Sequence, residues 1–126
     1  MSNPLAPLAA LVFLAACAAP LAVETRAALP APVANNAVAY ARDAKGEGTI
    51  YSFLGLGAGK TAADIVSSAY ACPEATLDCR AISGVPVSEG RLAGVAATVG
   101  GKIYLFGGYT VAPDGAEIVA FAFAPA

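Results

Sequence analysis

Between residues 36 and 123 the chain breaks into short runs of apolar, β-branched and aromatic residues, separated by Gly, Pro and Asp. Runs of four to seven such residues bounded by turn formers read as strands. Asn36 to Tyr40, Thr49 to Phe53, Ile65 to Ala71 and Cys79 to Ile82 are expected to form one four-stranded sheet. Val95 to Val99, Lys102 to Phe106 and Ile118 to Phe123 would begin a second. Gly100-Gly101 supplies a two-residue hairpin turn, because glycine adopts positive φ without a steric penalty. In the first set the longer, charged segment Ala41 to Gly48 replaces that turn. One stretch competes with this pattern: Thr61-Ala62-Ala63-Asp64 has the form of a helix start, with a carboxylate in the first turn.

An internal repeat decides that competition. Ile50-Tyr51-Ser52-Phe53-Leu54-Gly55 lies on Ile103-Tyr104-Leu105-Phe106-Gly107-Gly108 at an offset of 53 residues. Without a gap, Asp64-Ile65-Val66 then lies on Glu117-Ile118-Val119, and Ala69-Tyr70-Ala71 on Ala122-Phe123-Ala124. A fixed period of this size marks a repeat architecture. The partner of Thr61 to Asp64 is Asp114-Gly115-Ala116-Glu117, which reads as a turn, so strand is expected in both copies.

The string from Arg91 through Gly94, Gly100-Gly101 and Tyr104-Leu105-Phe106 to Gly107-Gly108 resembles a Kelch repeat. That pattern is an Arg, a short apolar strand, a Gly turn, an apolar strand with Tyr and Phe, and a Gly-Gly pair. The first copy departs from it, with Leu54-Gly55 for Gly-Gly and Cys79 where the family has a Trp. The resemblance covers residues 33–126 and implies an all-β fold: the start of a Kelch-type β-propeller, with one complete four-stranded blade and most of a second. It also implies that Arg91 and the polar residues Asn35, Asn36, Ser88 and Glu89 lie at a ligand-facing mouth. A structural reading competes, with Arg91 packed between blades and the others solvated. Because propellers close with four to eight blades, the further blades are expected to be missing by truncation or supplied by other chains.

The N-terminus carries different information. No charged side chain occurs from Met1 to Val23, and Leu5 to Leu21 is almost wholly apolar. A membrane-spanning helix needs about 20 apolar residues, and Pro4, Pro7 and Pro20 interrupt this stretch, so a cleaved signal fits better. Leu14-Ala15-Ala16-Cys17 resembles the lipobox of bacterial lipoproteins, in which the Cys is lipidated and becomes the new N-terminus. The division expected is a signal peptide over 1–16, a lipidated Cys17 with an Ala/Pro linker over 17–32, and the propeller segment over 33–126. The alternative is a plain secretory signal cut after an Ala-x-Ala triplet, with Cys17 incidental. Either route leads out of the cytoplasm, and the lipobox points to the cell envelope, membrane-anchored and facing the periplasm.

Export leaves Cys72 and Cys79 as an even pair in an oxidising compartment. Six residues separate them, which suits a disulfide between adjacent antiparallel strands across a turn at Pro73 to Asp78. Zinc would need ligands beyond two thiols, and the chain has no His, so no metal and no cofactor is expected.

Composition narrows the chemistry. Hydrophobic residues make up 58% of the 126 and charged residues 13%. Seven Lys and Arg against nine Asp and Glu form no basic patch, so nucleic acid is not an expected partner. Without His the chain builds no Ser-His or Cys-His pair. Three functions stay open: a binding or interaction module for protein or glycan, a mutarotase-like carbohydrate-active propeller enzyme, and an inactive fragment of a broken gene. No catalytic residue is assigned, since Glu89 with Arg91 is too common a pairing to identify one.

Overall fold

The structure is a computed structural model and describes residues 24–112, 117–119 and 124–125. The signal segment, Cys17, Asp114 and residues 120–123 therefore lie outside the described residues. The molecule is all-β, built from two antiparallel sheets. The first has four strands in sequence order: β1 (Ala37–Arg42), β2 (Gly48–Leu56), β3 (Ile65–Pro73) and β4 (Arg80–Ile82). The second contains β5 (Leu92–Val99), β6 (Lys102–Val111), β7 (Glu117–Val119) and β8 (Ala124–Pro125). β7 and β8 both pair with β6, along the edge that β5 leaves open.

Each expected strand up to Phe106 is present, several of them longer than expected. β2 and β6 run on past Phe53 and Phe106 because each carries an irregularity that lets pairing resume. In β2 the register slips by one between Phe53 and Gly55, where Leu54 (φ 61°) and Gly55 (φ 118°) are both left-handed. Gly107 (φ 65°) and Gly108 (φ 84°) repeat that conformation in β6. The Leu54-Gly55 departure from Gly-Gly thus changes the residue but keeps the backbone. A second pair of left-handed residues occupies equivalent places, Asn35 (φ 52°) just before β1 and Ala93 (φ 56°) at the start of β5.

Two sequence expectations need correction. The repeat is not ungapped through the third strand. Leu56 faces Ile65 in the first sheet and Tyr109 faces Val119 in the second, while Tyr51 faces Ala71 and Tyr104 faces Pro125. The third strands therefore correspond at an offset of 54, not 53, because the connection after β6 is one residue longer. Apolar and small residues recur so often here that side-chain type alone cannot fix a register, whereas backbone hydrogen bonding does. The second correction concerns Thr61 to Asp64, which is neither strand nor the start of a long helix. It forms a single 3-10 turn, Ala62–Asp64, before β3. Thr61 donates to the Asp64 carboxylate from its backbone N at 3.0 Å and its hydroxyl at 2.5 Å. Those donors hold the Asp64 carboxyl below its ordinary pKa.

Side chains alternate in and out along β1, with Ala37 and Ala39 buried and Val38 and Tyr40 exposed. Register carries the buried set across the sheet, from Ala37 to Phe53 to Ala69 and from Ala39 to Tyr51 to Ala71. This face packs against Ile103 and Leu105 of the second sheet, with Leu54 and Val85, in one cluster. Hydrogen bonds fix the sheets to each other: Gly55 N to Arg91 O (2.7 Å), Ala93 N to Asn35 O (2.9 Å) and Thr98 Oγ1 to Tyr40 O (2.7 Å). The Gly100-Gly101 turn is as expected, with both residues at positive φ (58° and 76°) between paired Val99 and Lys102.

Candidate functional site

A four-stranded antiparallel meander places its β1–β2 and β3–β4 connections at one end and its β2–β3 connection at the other. The charged β1–β2 loop and the Cys-bounded β3–β4 turn therefore meet. Between them lies a recess of about 760 Å³, walled by Arg42, Asp43 and Glu47 on one side and Glu74 and Arg80 on the other, with Tyr51 among its lining residues.

Each wall has a local cause. The β1–β2 loop is folded by Asp43, whose carboxylate accepts from the backbone N of Lys45 (2.8 Å) and of Glu47 (2.9 Å). Gly46 (φ 85°) makes the reversal, and Arg42 donates to its carbonyl at 2.7 Å. The opposite wall is tied down by the expected disulfide, Cys72–Cys79, which joins the end of β3 to the residue before β4. The ladder ends at the Ala71–Arg80 pair, so the crosslink takes over where strand pairing stops.

The walls are also linked to each other. Tyr40 donates its hydroxyl to Glu74 Oε2 at 2.6 Å, Arg42 stands 3.6 Å from the same carboxylate, and its guanidinium lies 5.3 Å from the Tyr40 ring centre. The hydrogen bond to Glu74 raises the Tyr40 phenol above its ordinary pKa, with Arg42 acting in the opposite sense. A Cβ on Gly48 would run into the Tyr40 hydroxyl and the Glu74 carboxylate, so the close approach of these side chains needs glycine there.

The residues singled out from sequence lie at the other end. Asn35, Asn36 and Arg91 gather around Gly55: Arg91 O accepts from Gly55 N, and Asn35 O accepts from Ala93 N. Asn36 donates to Ser52 Oγ at 2.8 Å, within the sheet. Asn35 also borders a smaller recess of about 220 Å³ with Lys60, Thr61, Leu92 and Tyr109. Ser88 and Glu89 are exposed on the segment that leads from β4 to β5. The structure thus uses the backbone of Asn35 and Arg91 to couple the sheets, ties Asn36 to Ser52 within the first sheet, and leaves Ser88 and Glu89 in solvent. Sequence reading did not single out the larger recess, although its signal was present in the long charged β1–β2 loop and the Cys-bounded β3–β4 turn. Combining them needed only the rule that alternate hairpins of a meander share an end.

Among the described residues no group of three or more His, Cys, Asp or Glu is placed to hold a metal ion. The chain matches no protein-family model, and no curated protein matches it.

Proposed function

We propose that this chain is an envelope-anchored binding module built of Kelch-type propeller blades, and that its recess between the β1–β2 and β3–β4 loops takes a polyhydroxylated ligand, a glycan. The observation that carries this reading is the make-up of the recess. Arginines and carboxylates converge with Tyr51 in a concave site whose two walls are each braced, one by Asp43 and one by the disulfide. Charged donors and acceptors on rigid loops suit the hydroxyl groups of a sugar, and an aromatic face suits its C–H surface. The blade reading is supported by the two sheets sharing one pattern of left-handed residues and one packing of sheet on sheet. Export and lipidation at Cys17 come from the sequence.

Saturation-transfer NMR with a panel of neutral and acidic mono- and disaccharides tests the recess. Binding is expected for at least one class, and Arg80→Ala should weaken it about tenfold, the usual effect of losing a hydrogen bond to a charged group. A panel that gives no transfer, or binding indifferent to Arg80, overturns the assignment. The mass of the N-terminal peptide from the membrane fraction tests the anchor, which fails if Met1 is intact.

A further inference from the structure

The charged recess has a neighbour of different chemistry. A crevice of about 240 Å³ lies between the two sheets, lined by Ala41, Tyr51, Phe53 and Ile82 of the first and by Gly101 and Ile103 of the second. Among these only Tyr51 has a polar side-chain atom. Tyr51 also lines the recess, so the two cavities adjoin at one ring.

Register explains why they open on the same face. Ala39, Tyr51, Ala71 and Arg80 stand opposite one another across the four strands, and Ala37, Phe53, Ala69 and Ile82 form the next row. Residues two apart on a strand share a face and lie about 7 Å apart. Arg80 of the recess and Ile82 of the crevice are therefore neighbours on one side of the sheet, close enough for one small molecule to occupy both cavities. The space itself comes from size differences, since Ala39 and Ala71 flank Tyr51 and are too short to fill the height its ring reaches. Ile103 is 6% exposed and Ile82 37%, so the crevice deepens toward Ile103 and opens past Ile82.

We infer that the crevice receives an aromatic substituent carried by the sugar held in the recess, so that the ligand is an aryl glycoside. This rests on the glycan reading of the recess. Tyr51 and Phe53 offer nearly coplanar rings, 6.0 Å between centroids and 6° between planes, against which a flat apolar group stacks. An apolar cavity of about 150 Å³ takes up benzene, so a phenyl ring fits the volume. A second sugar in the crevice would lose water from hydroxyls that only the Tyr51 phenol could pair, which disfavours extending the ligand as a disaccharide in that direction.

Matched methyl and phenyl β-D-glucosides, β-D-galactosides and β-D-glucuronides, titrated calorimetrically into the full chain, test the inference. In at least one pair the phenyl member is expected to bind about tenfold tighter, through the apolar area its ring removes from water. Saturation-transfer NMR should then show the strongest transfer to the phenyl protons. Ile82→Asp puts a charge at the crevice mouth and should bring both members of that pair to the same affinity, whereas Arg80→Ala should weaken both. Circular dichroism checks that Ile82→Asp folds, and Ile82→Ala, which shrinks the phenyl advantage, replaces it if it does not. Equal affinity within every pair overturns the inference and leaves the glycan reading standing. A phenyl advantage that survives both Ile82 variants also overturns it, because the ring then lies elsewhere. No binding by any glycoside removes the glycan reading and this inference together.

Discussion

Leu54 is the residue at which conformation and burial oppose each other. Its φ of 61° costs an L-residue roughly 1–2 kcal/mol, while burial to 4% exposure returns roughly 1.5–3 kcal/mol. At the equivalent Gly107 the same conformation is adopted without strain, and a Cβ there would meet nothing within 4 Å. Gly107→Ala is therefore expected to destabilise by about 1 kcal/mol through φ alone. Leu54→Gly should also destabilise, by about 1 kcal/mol, because lost packing outweighs relieved strain. Urea denaturation of both variants checks the pair, and a stabilised Leu54→Gly would mean that strain dominates.

At the scale of elements, β3 and β4 show how a short edge strand is kept. β4 has three residues, all exposed, and pairs only through Ile82, Ala81 and Arg80. So few ladder bonds and so little burial would not hold it alone, and the Cys72–Cys79 bond supplies the missing constraint by restricting the unfolded chain. Replacing both cysteines by Ala is expected to cost about 2.5 kcal/mol, as the chain-entropy model gives for so short a loop. The loss should appear as a lower urea midpoint, with hydrogen exchange of β4 amides accelerating first. Uniform acceleration across β1 to β3 would show instead that the bond supports the whole sheet. Because the β3–β4 turn is one wall of the recess, the same variant should weaken any ligand held there.

For the whole molecule, the two sheets share one core rather than having one each. Leu105 and Ile103 from β6 lie in a single cluster with Ala37, Ala39, Phe53 and Ala69. The alanines of β1 let the two sheets approach closely, since a larger side chain there would hold them apart. Leu105→Ala is expected to destabilise by about 2–5 kcal/mol, as a large-to-small change in a packed core does. Far-ultraviolet circular dichroism and tyrosine fluorescence should then report one coincident transition, shifted as a unit. Two separated transitions would show that the sheets are independent.

The sequence by itself determined the strands up to Phe106, the Gly100-Gly101 hairpin and the repeat of the second strand, because these depend on residue type over a few neighbouring positions. It also pointed to the Cys72–Cys79 bond, since a short spacing leaves few geometries open. It did not determine the register of the third strand, where Ala and Val recur at both one and two steps and every alignment looks alike. Nor did it show that Leu54 could take the left-handed conformation of Gly107, because only burial on the facing sheet compensates that φ. The capping pattern of Thr61 and Asp64 was legible, but its extent was not, since the pull of β3 into the sheet ends the turn after Asp64. Likewise Arg42, Glu74 and Arg80 are far apart along the chain and become one recess only when the meander brings alternate loops to the same end. Tertiary structure decided those matters for a single physical reason: each depends on contacts between residues distant in sequence, whose energies outweigh local preference only once the sheets have packed.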